Sequence, residues 1–287
     1  MSIATALALS WFLVGMQVSL MRSLRWGKAV RAEGPKAHLE KAGTSSMGGV
    51  AFTLAATLVY LLTPDDGLRS VWLLAMGYGL LGLADDLGGL WGRPLKAREK
   101  LPLQFMMAAV FAAYALREVS YTPYPALDFV LIVLAVVGAA NALNFTDGLD
   151  GLAATVSVVL LLPFSHTILA QSFIGALLGF LWHNAPKAKI FMGDAGSQLL
   201  GALIAGVFIL EGKLWYLPLA AIVPVLEVLS VVVQVVYFRR TGRRILKMSP
   251  LHHHFELSGW EEPKIVFRFA VLTALATALA AGLWGGV

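Results

Sequence analysis

The chain has 287 residues, of which 58% are hydrophobic and only 14% charged. A soluble domain carries about 25% charged residues, so this composition points to a bilayer rather than to water. There is no cysteine, which excludes a disulfide framework and a thiolate metal site, and the net charge of +5 must be judged by where the charges fall.

A membrane-crossing helix needs about 20 mostly apolar residues. On that criterion the predicted spans, in chain order, are 2–22, 48–63, 70–90, 101–117, 126–143, 152–165, 167–183, 195–210, 215–238 and 265–285. The first lacks a cationic start and a small-residue cleavage pattern and is read as a retained span. In the ninth, Pro218 and Pro224 precede Glu227, which predicts a kink or break. The carboxyl of Glu227 is expected near mid-membrane, bonded to freed backbone groups or to Gln234. There is no internal repeat and no long linker, so a single all-α transmembrane domain over 1–287 is expected.

The connections alternate in charge. Residues 23–47, 91–100, 184–194 and 239–264 are rich in Lys and Arg, whereas only Arg69, Arg117 and Lys213, of 22 basic residues, fall on the other side. The positive-inside rule places the basic loops in the cytoplasm, and ten spans then leave both termini outside. The basic excess thus reads as topology and attraction for anionic lipid heads and phosphates, not as a nucleic-acid surface.

A carboxylate deep in a bilayer costs about 2.5–3.5 kcal/mol even on the lenient scale, so acidic clusters at span ends need a reason. Asp85-Asp86 ends the third span, before a loop with Arg93, Lys96, Arg98 and Lys100. Adjacent carboxylates repel unless a cation or a shared proton relieves them. Asp65-Asp66 is the same dipeptide in an outward Pro/Gly turn, and is read as that turn. In residues 141–153, Asp147 and Asp150 are spaced to share a face of any helical turn, Gly148 and Gly151 permit close backbone approach, and Asn141, Asn144 and Thr146 add neutral partners. Capping chemistry between spans accounts for one Asp there, but poorly for two Asp with two Asn. Asp194 stands between Gly193 and the eighth span, at a helix N-terminus whose free amides suit a phosphate; a simple N-cap is the plainer alternative. In residues 249–260, His252, His253 and His254 are consecutive, so a helix points them about 100° apart. That pattern suits phosphate binding or proton transfer better than a shared zinc. His166 and His183 are read as structural.

Scattered acidic residues without Cys suit an oxygen-ligated hard cation, Mg²⁺ above all, since it takes one or two carboxylates plus substrate phosphates. Beside them, Lys and Arg would hold a diphosphate, and a lipid phosphate could meet such a site at the membrane surface.

Five segments carry a resemblance: GPKAHLEKAGTSSMGG (34–49), LADDL (83–87), NALNFTDGLDGLA (141–153), FMGDAGSQLLG (191–201) and PLHHHFELSGW (250–260). In this order they are similar to the polyprenyl-phosphate N-acetylhexosamine-1-phosphate transferases. The PLHHHFE form points to their phospho-N-acetylmuramoyl-pentapeptide transferase branch. That resemblance implies ten helices, a homodimer in the bacterial cytoplasmic membrane, and Mg²⁺ as cofactor. It implies transfer of phospho-N-acetylmuramoyl-pentapeptide from UDP to undecaprenyl phosphate, giving lipid I and UMP. Carried over by motif, Asp194 is the metal ligand, and Asp85 and Asp86 lie beside the lipid phosphate, with Asp85 the candidate base or nucleophile. Asp147 joins the catalytic cluster. Asp150 and Phe191 hold the uracil, with Gly148 and Leu149 lining its pocket. Lys41, Lys100, Asn144 and Asn184 contact nucleotide or phosphate, and His252, His253 and His254 form a polar wall. Two positions depart from the family pattern: Gly89 stands where a Lys is common, with Arg93 or Lys96 as possible substitutes, and Ser45 replaces a Pro.

The same chemistry on UDP-N-acetylglucosamine and a transporter are the rival readings. A transporter would place its costly residues near the midplane, whereas here the aspartates gather on one side.

Overall fold

With no water to serve them, backbone amides inside a bilayer are satisfied within helices, and a helix forms on every predicted span. The computed structural model describes residues 2–24, 43–64 and 66–285, so Lys41 and Asp65 lie outside the described residues. The helices are α1 (Ser2–Ser23), α2 (Gly48–Leu62), α3 (Arg69–Leu90), α4 (Ala97–Ala115), α5 (Pro125–Thr146), α6 (Leu152–Leu161), α7 (Ile168–Asn184), α8 (Asp194–Leu210), α9 (Leu217–Ala220), α10 (Ile222–Thr241), α11 (Leu251–Glu256) and α12 (Glu262–Gly285). Among the described residues there is no strand, only an isolated parallel bridge between Ser45 and Ile190.

Five helices (α1, α3, α5, α10 and α12) are long and apolar enough to cross a membrane, and α2, α6, α7 and α8 are shorter apolar helices. Of the shorter ones α6, α7 and α8 are largely buried among their neighbours, whereas α2 leaves Leu54, Leu58 and Leu61 exposed. In α8 every residue from Ala195 to Ile209 is buried, so this helix faces protein on all sides. Small residues allow the close approach, as is usual between helices in membranes. An added Cβ at Gly49 in α2 would lie 2.3 Å from the Gly196 amide, one at Gly82 in α3 2.1 Å from the Asp194 carbonyl, and one on Gly201 2.3 Å from the Ala139 carbonyl in α5. On the far side of the bundle α7 meets α1 in the same way, through Gly175 against Ile3 and Gly179 against Leu7.

The predicted ninth span is broken. Ala221 leaves helical geometry (φ −84°, ψ 32°) between α9 and α10, and Pro224 sits in the first turn of α10, where its missing N–H costs nothing. Glu227 does not bond Gln234, as one expectation had it. Gln234 instead accepts from the Ile245 and Leu246 amides and donates to the Leu246 carbonyl, folding the basic 242–250 loop back onto α10.

The helix ends sort onto two levels. At one level lie the ends of α1, α3, α5 and α7 and the starts of α2, α4, α6, α8 and α12, together with the described connections 91–96 and 185–193. At the other, the Tyr121 hydroxyl donates to the Ile209 carbonyl, His166 Nε2 lies 3.3 Å from Glu211, and Trp284 packs on Phe164, Phe208 and Tyr216. All of the sequence-predicted site residues among those described belong to the first level.

The glycine packing sets a stability test. Gly82→Val forces a side chain into the Asp194 carbonyl, an overpacking that costs about 1–3 kcal/mol or more. Gly89→Val, where an added Cβ meets nothing within 4 Å, serves as control. Thermal unfolding of the purified protein should show a clear drop for the first and little for the second; equal midpoints would refute the close-packing account.

Candidate active site

The first turn of α8 organises this end of the molecule. Burying a helix start is costly unless its orphan N–H groups find acceptors. Asp86, near the end of α3, accepts from the Asp194 amide at 3.1 Å and from the Ala195 amide at 3.0 Å, and the next two amides, of Gly196 and Ser197, donate to the Gly193 carbonyl. Gly193 adopts φ +78°, and a Cβ there would sit 2.6 Å from Asp86, so the cap requires glycine. The free-amide phosphate cradle expected at this helix start is therefore not available: its donors are already taken, and Asp86 is the acceptor. Ser45, Gly48 and Gly49 brace the segment leading into this turn from the side. The Phe191 amide donates to the Ser45 carbonyl, and the Gly48 and Gly49 amides to the carbonyls of Phe191 and Met192.

Asp85, the neighbour of the cap, turns to a cation. Lys100, in the first turn of α4, lies 2.8 Å from Asp85 Oδ2 and 3.0 Å from Asp194 Oδ2. Burial alone would lower the Lys100 pKa, but Asp194 and then Asp85 more than offset it and hold the ammonium above the ordinary lysine range. Arg93 and Lys96, the residues considered as substitutes for the missing Lys at Gly89, are exposed; the cation between the aspartates is Lys100. The Leu95 amide also donates to Asp85 Oδ1, which fixes the loop leading into α4.

Asp194 is held from several directions. Asn144, near the end of α5, donates to Asp194 Oδ1 at 2.9 Å and to Ser197 at 3.0 Å, and Gln198 donates to Asp194 Oδ2 at 3.0 Å. Gln104 in turn donates to Gln198 and accepts from Asn141, and the Tyr78 hydroxyl donates to the Gln104 carbonyl. Asn141 and Asn144 were legible in their motif, but the buried Gln104 and Gln198 that complete the chain were missed at the sequence level, although polar amides inside apolar helices are a signal in their own right. Connected networks of this kind rigidify what they support.

The 147–151 segment is a turn rather than a helical continuation, so Asp147 and Asp150 do not share a helix face. Asp147 is the half-buried C-cap of α5. Asp150 is 3% exposed; its Oδ2 accepts from the Ala188 amide at 2.8 Å, while its own amide donates to Glu262 at the start of α12. Leu149 is buried beside it. Asn184, at the end of α7, accepts from the Gly151 amide and donates to the Ile190 carbonyl. Asp150 and Asn184 thus tie the 185–191 loop, which carries half-buried Phe191, to the turn after α5.

The histidine tract forms α11, and its three side chains take different partners, although the His252 and His253 rings meet edge-on. His252 is buried against Glu227 of α10 (Nδ1 to Oε2 3.1 Å). His253 pairs with Glu256 (2.6 Å), and His254 accepts from the Lys247 amide. An added Cβ on Gly148 would lie 2.2 Å from His252 Nε2, so the absence of a side chain at Gly148 lets the imidazole rest on the turn after α5. Phe255 stacks on Trp260 at 4.6 Å and meets Phe269 edge-on, anchoring the tract to α12.

A model of glycosyl transferase family 4 matches residues 68–212. Proteins named phospho-N-acetylmuramoyl-pentapeptide-transferase match almost end to end: 44% identity to that of Deinococcus radiodurans over 98% of each chain, 46% to that of Deinococcus deserti over 95% of each, and 39% to that of Thermoanaerobacter sp. strain X514 over 90% of each. The chain belongs to the phospho-N-acetylmuramoyl-pentapeptide-transferase family.

The family 4 match takes in Asp85, Asp86, Lys100, Asn144, Asp147, Asp150, Asn184, Phe191 and Asp194. His252, His253 and His254 lie beyond it, and it is the near-full-length transferase relatives that extend over them. Glu227 and Glu262 join Gln104 and Gln198 as residues whose engagement only the fold displays.

The two adjacent aspartates have separable roles. Asp86→Ala strips the acceptor from two buried amides and should lower thermal stability by about 1–2 kcal/mol, the cost of a lost helix cap, as well as activity. Asp85→Ala should abolish activity with a smaller loss of stability. Unfolding curves with the two variants in the reverse order would contradict the assignment of Asp86 as the cap.

Proposed function

We propose that the chain transfers phospho-N-acetylmuramoyl-pentapeptide from its UDP-linked precursor to undecaprenyl phosphate, forming lipid I and UMP. The observation that carries this reading is the seat between Asp85 and Asp194. Two carboxylates from different helices share one cation within 3.0 Å. Such a seat suits a diphosphate donor and an anionic lipid acceptor.

The donor set fits Mg²⁺. Among the described residues no group of three His, Cys, Asp or Glu side chains forms a complete cage, and Mg²⁺ is commonly held by one or two carboxylates with substrate phosphates and water making up the rest. Asp194 is the proposed ligand, with Asp85 beside it, and the ion when bound would neutralise charge on the diphosphate. Lys100 and Asn144 bind and orient the phosphates. Asp150, Asn184, Gly148, Leu149 and Phe191 shape the nucleotide side, Asp150 and Asn184 by holding the loop that presents Phe191. Lys41 is assigned to the same side by motif alone. His252 and His253 close the site over the turn bearing Asp147, with His254 securing the preceding basic loop.

The proposed step is direct. An oxygen of the lipid phosphate attacks the sugar-bearing phosphorus, the bond from that phosphorus to the bridging oxygen breaks, and UMP leaves with the electron pair. A phosphate monoester, with a second pKa of about 6, is largely ionised at neutral pH, so Asp85 accepts a proton only when one is present. Ten crossings by a single domain, both termini outside and the site facing the cytoplasm are proposed from the positive-inside bias; the homodimer follows the family resemblance.

The test is purified protein with UDP-N-acetylmuramoyl-pentapeptide, undecaprenyl phosphate and Mg²⁺. UMP release should require both substrates, stop on chelation, and fall at least about 100-fold in Asp194→Asn, the scale of losing several kcal/mol of charge stabilisation. Full activity in chelator removes the magnesium assignment. Stoichiometric UMP release without lipid replaces direct attack with a covalent route, and preference for UDP-N-acetylglucosamine overturns the donor.

A further inference from the structure

The carboxylate of Glu227 is the most heavily buried acidic group that the proposed chemistry leaves unused. Its residue is 0% exposed, and His252 beside it is 1% exposed. A buried carboxylate is kept only where something compensates it. Glu227 meets two groups of one residue: the His252 backbone amide donates to Oε1 at 3.2 Å, and the ring nitrogen Nδ1 lies 3.1 Å from Oε2. The amide belongs to the first turn of α11, which starts after Pro250, so it is one of the orphan donors of that helix. Glu227 therefore caps α11 from α10 and faces its first imidazole with the same carboxylate.

The ring is constrained on its other side as well. Neither ring nitrogen of His252 has an aligned hydrogen bond, although both are buried. Nε2 looks onto Gly148, whose hypothetical Cβ would lie 2.2 Å away, and the His253 ring stands edge-on at 4.2 Å. A carboxylate accepts and does not donate, so the nitrogen facing it is the one that carries a hydrogen, because a lone pair there would be repelled. The second nitrogen is then the one that faces the backbone of the 147–150 turn at Gly148. His253 repeats the device with Glu256 at its Nδ1.

We propose that Glu227 is a positioning residue for the transfer reaction: from α10 it fixes the tautomer and orientation of His252 so that Nε2 is presented to the turn bearing Asp147 and Asp150. This builds on the assignment of His252 to the site. It gives α10 a direct link to the chemistry, since a shift of that helix would move an imidazole resting on the substrate-side turn. The sequence marked Glu227 as an unexplained carboxylate; its partner is 25 residues away on a different helix.

The test combines a double-mutant cycle with a spectroscopic readout. Glu227→Gln, His252→Gln and the double variant are purified in detergent and assayed for UMP release with both substrates and Mg²⁺. Glu227→Gln keeps an acceptor for the backbone amide and removes the charge, so a purely capping role predicts near-normal turnover. Positioning predicts a fall of about 10–100-fold in kcat, the range seen when the partner of a functional imidazole is removed, with little change in KM for the nucleotide. It also predicts that the double variant is no worse than His252→Gln alone. Additive losses, or a normal kcat in Glu227→Gln beside an impaired His252→Gln, overturn the proposal and leave the His252 assignment standing. A normal kcat in His252→Gln overturns both. Because Glu227→Gln can fail to fold, nitrogen-15 NMR of histidine-labelled wild-type protein, with His252→Gln identifying the signal, supplies a second reading. A protonated Nδ1 is expected, and an Nδ1 that carries no proton defeats the proposal.

Discussion

The first turn of α8 is the constraint on which the rest of this end of the molecule depends. A helix buried on every side has nowhere to send its leading amides except to another part of the protein. Asp86 receives two of them, and it can do so only because Gly193 has no side chain and because Gly49 and Gly82 let α2 and α3 close on the same turn. The cap in turn fixes its neighbour. With Asp86 committed to backbone, Asp85 is carried to the other side of α3, toward Lys100 and Asp194. The pairing of adjacent aspartates is thus a division of labour, one holding the scaffold and one facing the Lys100 ammonium.

Around that turn the protein builds polar structure where apolar packing would be cheaper. The amides of Gln104, Asn141, Asn144 and Gln198 are linked to one another or to Asp194. Each member is satisfied by the next, so burial strengthens the network instead of penalising it. A site that must stabilise developing charge benefits from dipoles already in place before substrate arrives. The loops show the same economy. Asp150 and Asn184 spend their side chains on backbone groups of the 185–191 loop, and that holds a segment which carries almost no regular structure of its own.

Much of this was legible in the sequence. Length and apolarity located a helix at every predicted span, because the bilayer permits little else. Prolines on either side of Ala221 announced the broken ninth span. The motifs named residues that meet in two groups: Asp85, Asn144 and Asp194 around Lys100 and the start of α8, and His252 against Gly148 in the turn after α5. Less legible were the partners. Nothing near Lys100 in the chain says that it will bridge Asp85 and Asp194, and the helical spacing of Asp147 and Asp150 suggested a shared face that the turn after α5 does not provide. The free phosphate-binding amides expected at Asp194 were wrong for a specific reason: a neighbouring aspartate had already satisfied them.

Sequence by itself determined the class of molecule, the placement of its helices, the family and the set of residue types available for chemistry. These follow from composition, period and local motif, which act over a few residues. Tertiary structure decided which aspartate caps and which faces the cation, that Lys100 rather than a residue near Gly89 supplies that cation, and that Glu227 answers to His252. Those outcomes depend on pairs separated by between 15 and 109 positions, and a buried polar group selects its partner by what the fold brings within about 3 Å, which no local pattern records.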